Sequence, residues 1–237
     1  MLKNEVLEYL HEHANESVKK HLTQRKGSFQ IIGVAMKDIR ALAAKIKQDE
    51  ALAIDLYETH IFEAMMLATM MMPEDKLTLS LLKSWALSAE SSQIIDQGLS
   101  PLIMRMQDKS VLIQSWYLDH QESLRYAGYS LFSSYFRGEP LDKIDIPFSI
   151  QILEEIKNTI ATEPLLIQNA MNNAVVMAGL HVPRLVDKAT EVAKHIGHVM
   201  PLVARNQCNI QSAYDYLIRY KDNPTYSRVA RLNKVKS

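Results

Sequence analysis

Apolar residues recur at helical spacing along almost the whole chain. Leu7, Leu10, Ala14 and Val18 keep steps of three to four, as do Ile39, Leu42, Ala43 and Ile46, so each segment predicts a helix buried along one stripe. From Ile61 to Met72 the run is apolar on every side and stops at Pro73, which predicts a buried helix ended by proline. An amphipathic helix follows, with Leu77, Leu81, Leu82 and Trp85 on one face. Three more stripes come next: Leu124, Ala127, Gly128, Leu131 and Tyr135; then Ile152, Leu153, Ile156 and Ile160; then Ile167, Ala170, Met171, Ala174 and Ala178. Pro183 and Gly197 bracket a further stripe of Leu185, Ala189, Val192, Ala193 and Ile196, at the positions where a helix starts and stops.

The pattern is all-α. Laying "FEAMMLA" (62–68), "LRYAGYS" (124–130) and "IQNAMNN" (167–173) together shows a faint internal repeat, the last two 43 residues apart. That spacing lies inside the roughly 40 to 47 residue period of HEAT and armadillo arrays, whose stacked helix pairs curve into an alpha-alpha superhelix with a concave groove. Only "RGEPLDKIDIP" (137–147) reads as weakly structured, and no Gly/Ser linker divides the chain. The expectation is one HEAT-like domain over 1–237, with a basic and flexible tail at about 221–237.

Composition agrees, since 7 Gly and 8 Pro in 237 residues leave few helix breakers. The single Cys208 cannot close an intramolecular disulfide, and the N-terminus is charged from Lys3, so a reducing cytoplasm is expected. The longest apolar run falls well short of the roughly 20 residues that cross a bilayer, so no membrane partner is expected. The 27 Lys/Arg balance 27 Asp/Glu, so any polyanion must be met by a local patch. One such patch is "RYKDNPTYSRVARLNKVKS" (219–237), with six Lys/Arg against one Asp.

Candidate chemistry centres on Asp96, set directly after Ile94 and Ile95 in "SSQIIDQGLSPLI" (91–103). If Ser91 or Ser92 caps a short helix, Asp96 sits near its first turn, where helix N–H groups favour an anion. The other reading is a partly buried carboxylate paired with a cation such as Arg125, or with positive charge on a substrate. Arg125, between Leu124 and Tyr126 and near Tyr129, is open to a phosphate contact, ring stacking or a structural ion pair. Gln168, Asn169, Asn172 and Asn173 place four amides on an otherwise apolar helix, where they serve either DNA or inter-helix bonds. His195 and His198 have helical spacing, but no further Cys or His completes a metal site. Phosphate loops and the G-x-S-x-G elbow are absent, and Cys208 has no catalytic His signature near it.

Five segments in order resemble the bacterial DNA alkylation repair enzymes, the HEAT-like alkylpurine DNA glycosylases. "IIGVAMKDIRALAAKI" (31–46) is similar to the family's G-V-x(4)-[LI]-R segment, and "IFEAMMLATMMM" (61–72) to its E-x(3)-A helix. "SSQIIDQGLSPLI" falls where the family has W-D-x-[VC]-D, and "WYLDHQESLRYAGYSLF" (116–132) resembles W-x(8,10)-R-R-x-A. "EPLLIQNAMNNAVVMAG" (163–179) resembles the later [FI]-[VI]-Q-[KN]-A helix, and "ATEVAKHIGHV" with "CNIQSAYDYL" looks like the C-terminal part of a subgroup.

The resemblance implies hydrolysis of the N-glycosidic bond of N3-alkyladenine or N7-alkylguanine in double-stranded DNA, with no metal or other cofactor. It matches Asp96 to the catalytic aspartate, which stabilises oxocarbenium-like charge and orients water, and Arg125 to a phosphate-contacting arginine. Gln168, Asn169, Asn173 and Ser92 become DNA-binding candidates. Ser92 and Asn173 stand where the family carries aromatic side chains. The alternative reading is a non-catalytic repeat module that binds DNA, or a protein or peptide, in its groove.

Overall fold

The computed structural model describes residues 1–23, 29–107, 109–199 and 210–236. Cys208 and part of the "CNIQSAYDYL" segment lie outside them. The chain divides into two compact units, Met1–Leu112 and Ile113–Ser237. Among the described residues the only strand-like pairings are two isolated bridges, Gln30 with Ile61 and His198 with Ser212.

The first unit runs through α1 (Lys3–Glu12), α2 (Glu16–Thr23), α3 (Met36–Ile46), α4 (Glu50–Tyr57), α5 (Phe62–Met71) and α6 (Leu79–Ser88). The short α7 (Ser92–Ile94), a π-helical turn (Ile95–Leu99) and α8 (Ser100–Ile103) follow. The first stripe, read as one helix, is two: Asn15 breaks it and caps α2, its Oδ1 accepting from Ser17 N at 2.9 Å and Val18 N at 3.1 Å. Helix α5 is the hub of the unit, packed against α3 and α4. Apart from Met70 every one of its residues is buried, as its unbroken apolar run requires. Glu63 is buried there too, its two oxygens accepting from Ile32 N (3.0 Å), Gly33 N (2.7 Å) and Val34 N (3.2 Å). Gly33 has φ +102°, and a Cβ on it would fall 2.8 Å from Asn15 O, so only glycine fits that cradle.

Helix α9 (Lys109–Trp116) spans the boundary between the units. The second unit continues with α10 (Glu122–Gly138), α11 (Ile146–Thr159), α12 (Leu165–His181), α13 (Val186–Ile196), α14 (Ala213–Tyr220) and α15 (Arg228–Lys236). Helices α10 and α12 form its most extensive pair, and all the stripe residues named for both are buried. Gly128 on α10 lets the chain at Tyr117 approach so closely that a Cβ would sit 2.5 Å from Tyr117 N.

The segment 137–147 is tied down by Tyr135, whose hydroxyl donates to Lys143 O at 3.2 Å and accepts from Asp145 N at 3.0 Å. Asp145 then caps α11 through Phe148 N at 3.0 Å. Pro183 opens a 3-10 turn (Pro183–Leu185) and α13 starts at Val186, three residues later than the proline alone suggests. Gly197 closes α13 at φ +66°.

Candidate nucleic-acid interface

Asp96 lies in the π-helical turn that extends α7, five residues beyond Ser91, whose hydroxyl caps α7 by accepting from Gln93 N at 3.2 Å. Ile94, Ile95, Gly98 and Leu99 turn inward, and Asp96 and Gln97 turn outward. A carboxylate that follows two buried isoleucines is therefore itself exposed, because successive helical positions point in different directions. The backing is close-packed: Gly98 lies so near α5 that a Cβ would sit 3.0 Å from Thr69 Oγ1. Such π turns are found disproportionately at functional sites. Solvent weakens what the carboxylate can do, since a charge pair 4 Å apart is worth about 1 kcal/mol in bulk water and about 4 at the lower effective dielectric near a protein surface. Ser92, one turn back, is half-buried.

Arg125 is on α10 in the second unit, and its guanidinium is engaged along its length. Nε and Nη2 donate to Glu163 Oε2 at 3.1 and 3.0 Å, and Nη1 donates to Asp119 O at 2.7 Å. Both side chains of the pair are mostly buried, at 18% and 16% exposure. Gln168 joins the same knot, its Nε2 donating to Glu163 O at 2.7 Å. Asn169 donates to Leu165 O of its own helix at 2.7 Å. Asn172 is fully buried and donates to Ile210 O at 2.7 Å, while its Oδ1 has no partner among the described residues. Asn173 faces solvent. Three of the four amides are thus spent on backbone carbonyls, and the structure gathers Arg125 and Gln168 around Glu163.

The basic C-terminal segment carries helix α15. Ser227, buried before α15, donates its hydroxyl to Leu180 O at 3.1 Å and accepts from Ala230 N at 3.1 Å. Arg228 reaches the C-terminal carbonyls of α10, donating to Glu139 O at 2.8 Å and Phe136 O at 3.3 Å, with Arg137 O beside them. Cationic groups at a helix C-terminus complement its dipole. His181, at the end of α12, is buried, and its Nδ1 finds no partner among the described residues. Burial, then the positive charges of Arg228, Arg137 and Arg231, lower its pKa from 6.5 to about 4. Glu63 is the glutamate of the E-x(3)-A resemblance, but nothing in that motif points to its backbone cradle, and His181 leaves no periodic mark in its apolar run.

Among the described residues no group of His, Cys, Asp and Glu forms a metal-ligand cluster, and no helix is long and apolar enough to cross a membrane. His198 instead lies 4.0 Å from Asp215.

Paired helices throughout both units, with no sheet among the described residues, define the HEAT-like class of helical repeat fold. A solved structure described as "a new family of proteins related to the HEAT-like repeat DNA glycosylases with affinity for branched DNA structures" has this same fold, with a TM-score of 0.88, 22% identity, and coverage of 97% of this chain and 98% of that one. The model of the DNA alkylation repair enzyme family matches residues 6–208, and the chain belongs to that family. Two curated relatives, the uncharacterized protein Lmo0209 of Listeria monocytogenes and the uncharacterized protein Lin0241 of Listeria innocua, are each 20% identical over 193 residues, covering 80% of this chain and 83% of theirs.

Proposed function

We propose that this protein binds DNA as a structure-recognising member of its family and does not excise alkylated bases. The observation that carries the reading is the state of Arg125: a guanidinium held by Glu163 and by the Asp119 carbonyl cannot clamp a phosphate without breaking a mostly buried ion pair. Two further features agree. Asp96 is exposed rather than set in a medium that strengthens its charge, and Ser92 and Asn173 offer no aromatic face to a deoxyribose. The affinity for branched DNA described for the solved relative supports DNA as the ligand class.

The position of Asp96 on a close-packed π turn favours a second reading, an alkylpurine DNA glycosylase of low turnover in which Asp96 stabilises the sugar cation. One pair of assays separates the two. Fluorescence anisotropy with labelled duplex and branched DNA should show binding that weakens as salt rises, while N7-methylguanine duplex releases base only at its spontaneous rate. Base release that disappears in Asp96→Asn overturns the first reading in favour of the second. Absence of both DNA binding and base release overturns both.

A further inference from the structure

The C-terminal segment combines a row of contacting aromatic rings with neighbouring cations. Tyr216 and Tyr220 follow one another at helical spacing on α14, with ring centroids 4.4 Å apart, and Tyr220 meets Tyr226 at 4.5 Å, both pairs tilted by 47°. Tyr226 is 46% exposed, and Tyr216 and Tyr220 are half-buried. The core tyrosines behave differently: Tyr57 and Tyr135 are buried, and each spends its hydroxyl on backbone carbonyls. The surface row is therefore a run of partly exposed rings, tilted against one another, that stands outside the core.

Cations flank the row. The Arg219 guanidinium lies 5.3 Å from the Tyr220 ring centroid. Arg231 Nη1 donates to Pro224 O at 2.8 Å, inside the turn that presents Tyr226. That turn is fixed by Asn223, whose Oδ1 accepts from Thr225 N at 2.9 Å and whose carbonyl accepts from Tyr226 N at 3.1 Å and Ser227 N at 2.8 Å. Residues 213–236 hold six Lys/Arg against Asp215 and Asp222, in a chain whose total charge is zero. Successive rings set among cations make a surface on which unpaired bases stack while their phosphates are neutralised.

Resting on the reading of this protein as a DNA binder, we propose that Tyr216, Tyr220 and Tyr226, with Arg219 and Arg231, form a platform for the unpaired nucleotides of DNA at a fork or junction. An uninterrupted duplex keeps its bases stacked on one another and offers only phosphates to the cations. The rings therefore discriminate between the two forms of DNA, and the cations add affinity for both.

The test uses the full chain and two labelled probes, a 30-mer duplex of about the length of three turns and the same duplex opened into a fork with a single-stranded arm carrying 2-aminopurine. Wild type is expected to bind the fork more tightly than the duplex and to quench the 2-aminopurine. Tyr220→Leu/Tyr226→Leu is expected to lose about tenfold or more in fork affinity, to lose the quenching, and to change duplex affinity less than about twofold. Tyr226→Ala alone, at the most exposed ring, guards against a folding defect in the double variant, and Tyr226→Phe should restore the wild-type behaviour because it keeps the ring. Arg219→Gln should weaken fork and duplex together. A wild type that binds both probes equally, or a double variant that binds the fork as wild type does, overturns the platform and leaves the DNA-binding reading standing. A wild type that binds neither probe overturns both.

Discussion

At Glu63 a carboxylate with no solvent exposure is satisfied by three successive backbone N–H groups, so the loop at residues 32–34 is built around one side chain. Replacing it by Gln leaves at least one of those donors facing an amide nitrogen, and Glu63→Gln should cost about 2 to 3 kcal/mol in urea unfolding. Gly128 is a second point with no slack. Gly128→Ala drives a methyl group into the backbone at Tyr117, and the expected loss is about 3 kcal/mol or failure of the second unit to fold. His181 makes stability depend on pH. Its folded pKa of about 4 lies below the ordinary 6.5, so the unfolded chain binds the extra proton first. The contribution is full above pH 6.5 and is lost as pH falls towards 4, on the order of 1 to 2 kcal/mol after allowing for solvent screening. Urea midpoints at pH 7 and pH 4.5 should converge in His181→Leu relative to wild type.

Among the elements, α10 is joined to the start of α12 by the knot of Arg125, Glu163, Asp119 and Gln168. Removing one partner leaves the other charge mostly buried, so Arg125→Ala and Glu163→Ala should each cost about 2 kcal/mol, and the double variant much less than their sum. A contrasting network joins α11 to α13 at the surface, where Lys157 donates to Glu191 at 2.6 Å and Lys188 bridges Glu191 and Glu154. Hydrogen bonds from Lys157 and Lys188 lower the Glu191 pKa to about 2. Its benefit is present above the ordinary carboxylate value and fades as pH falls towards 2, and being exposed it should also shrink in high salt.

Legibility in the sequence follows the same division. The stripes of α10, α11 and α12 were readable because core-facing helices repeat their apolar residues at 3.6, and the hub α5 was readable because a helix buried on all sides has no polar face. The break at Asn15 and the 3-10 turn at Pro183 were not, since each is decided by one local hydrogen bond or dihedral rather than by a period. Asp96 and Arg125 could be picked out as charges in apolar surroundings, but their environments could not. Exposure at Asp96 depends on which way one π turn faces, and the partner of Arg125 lies 38 residues away at Glu163.

For the molecule as a whole, the balance of 27 basic and 27 acidic residues hides a local excess of cations near the C-terminus, where six Lys/Arg face one Asp over residues 219–237. Affinity for DNA should accordingly fall steeply with salt in the full chain, and much of that dependence should vanish in Arg219→Gln/Arg231→Gln. The methionines of α5 and its C-terminal cap bear on the integrity of the first unit. Met65, Met66, Met71 and Met72 are fully enclosed, and Met70 alone is partly open. Dilute peroxide should turn Met70 into its sulfoxide quickly and reach the other four only during transient opening of the unit. Peptide mass spectrometry of that one helix would therefore clock how often the first half of the protein breathes.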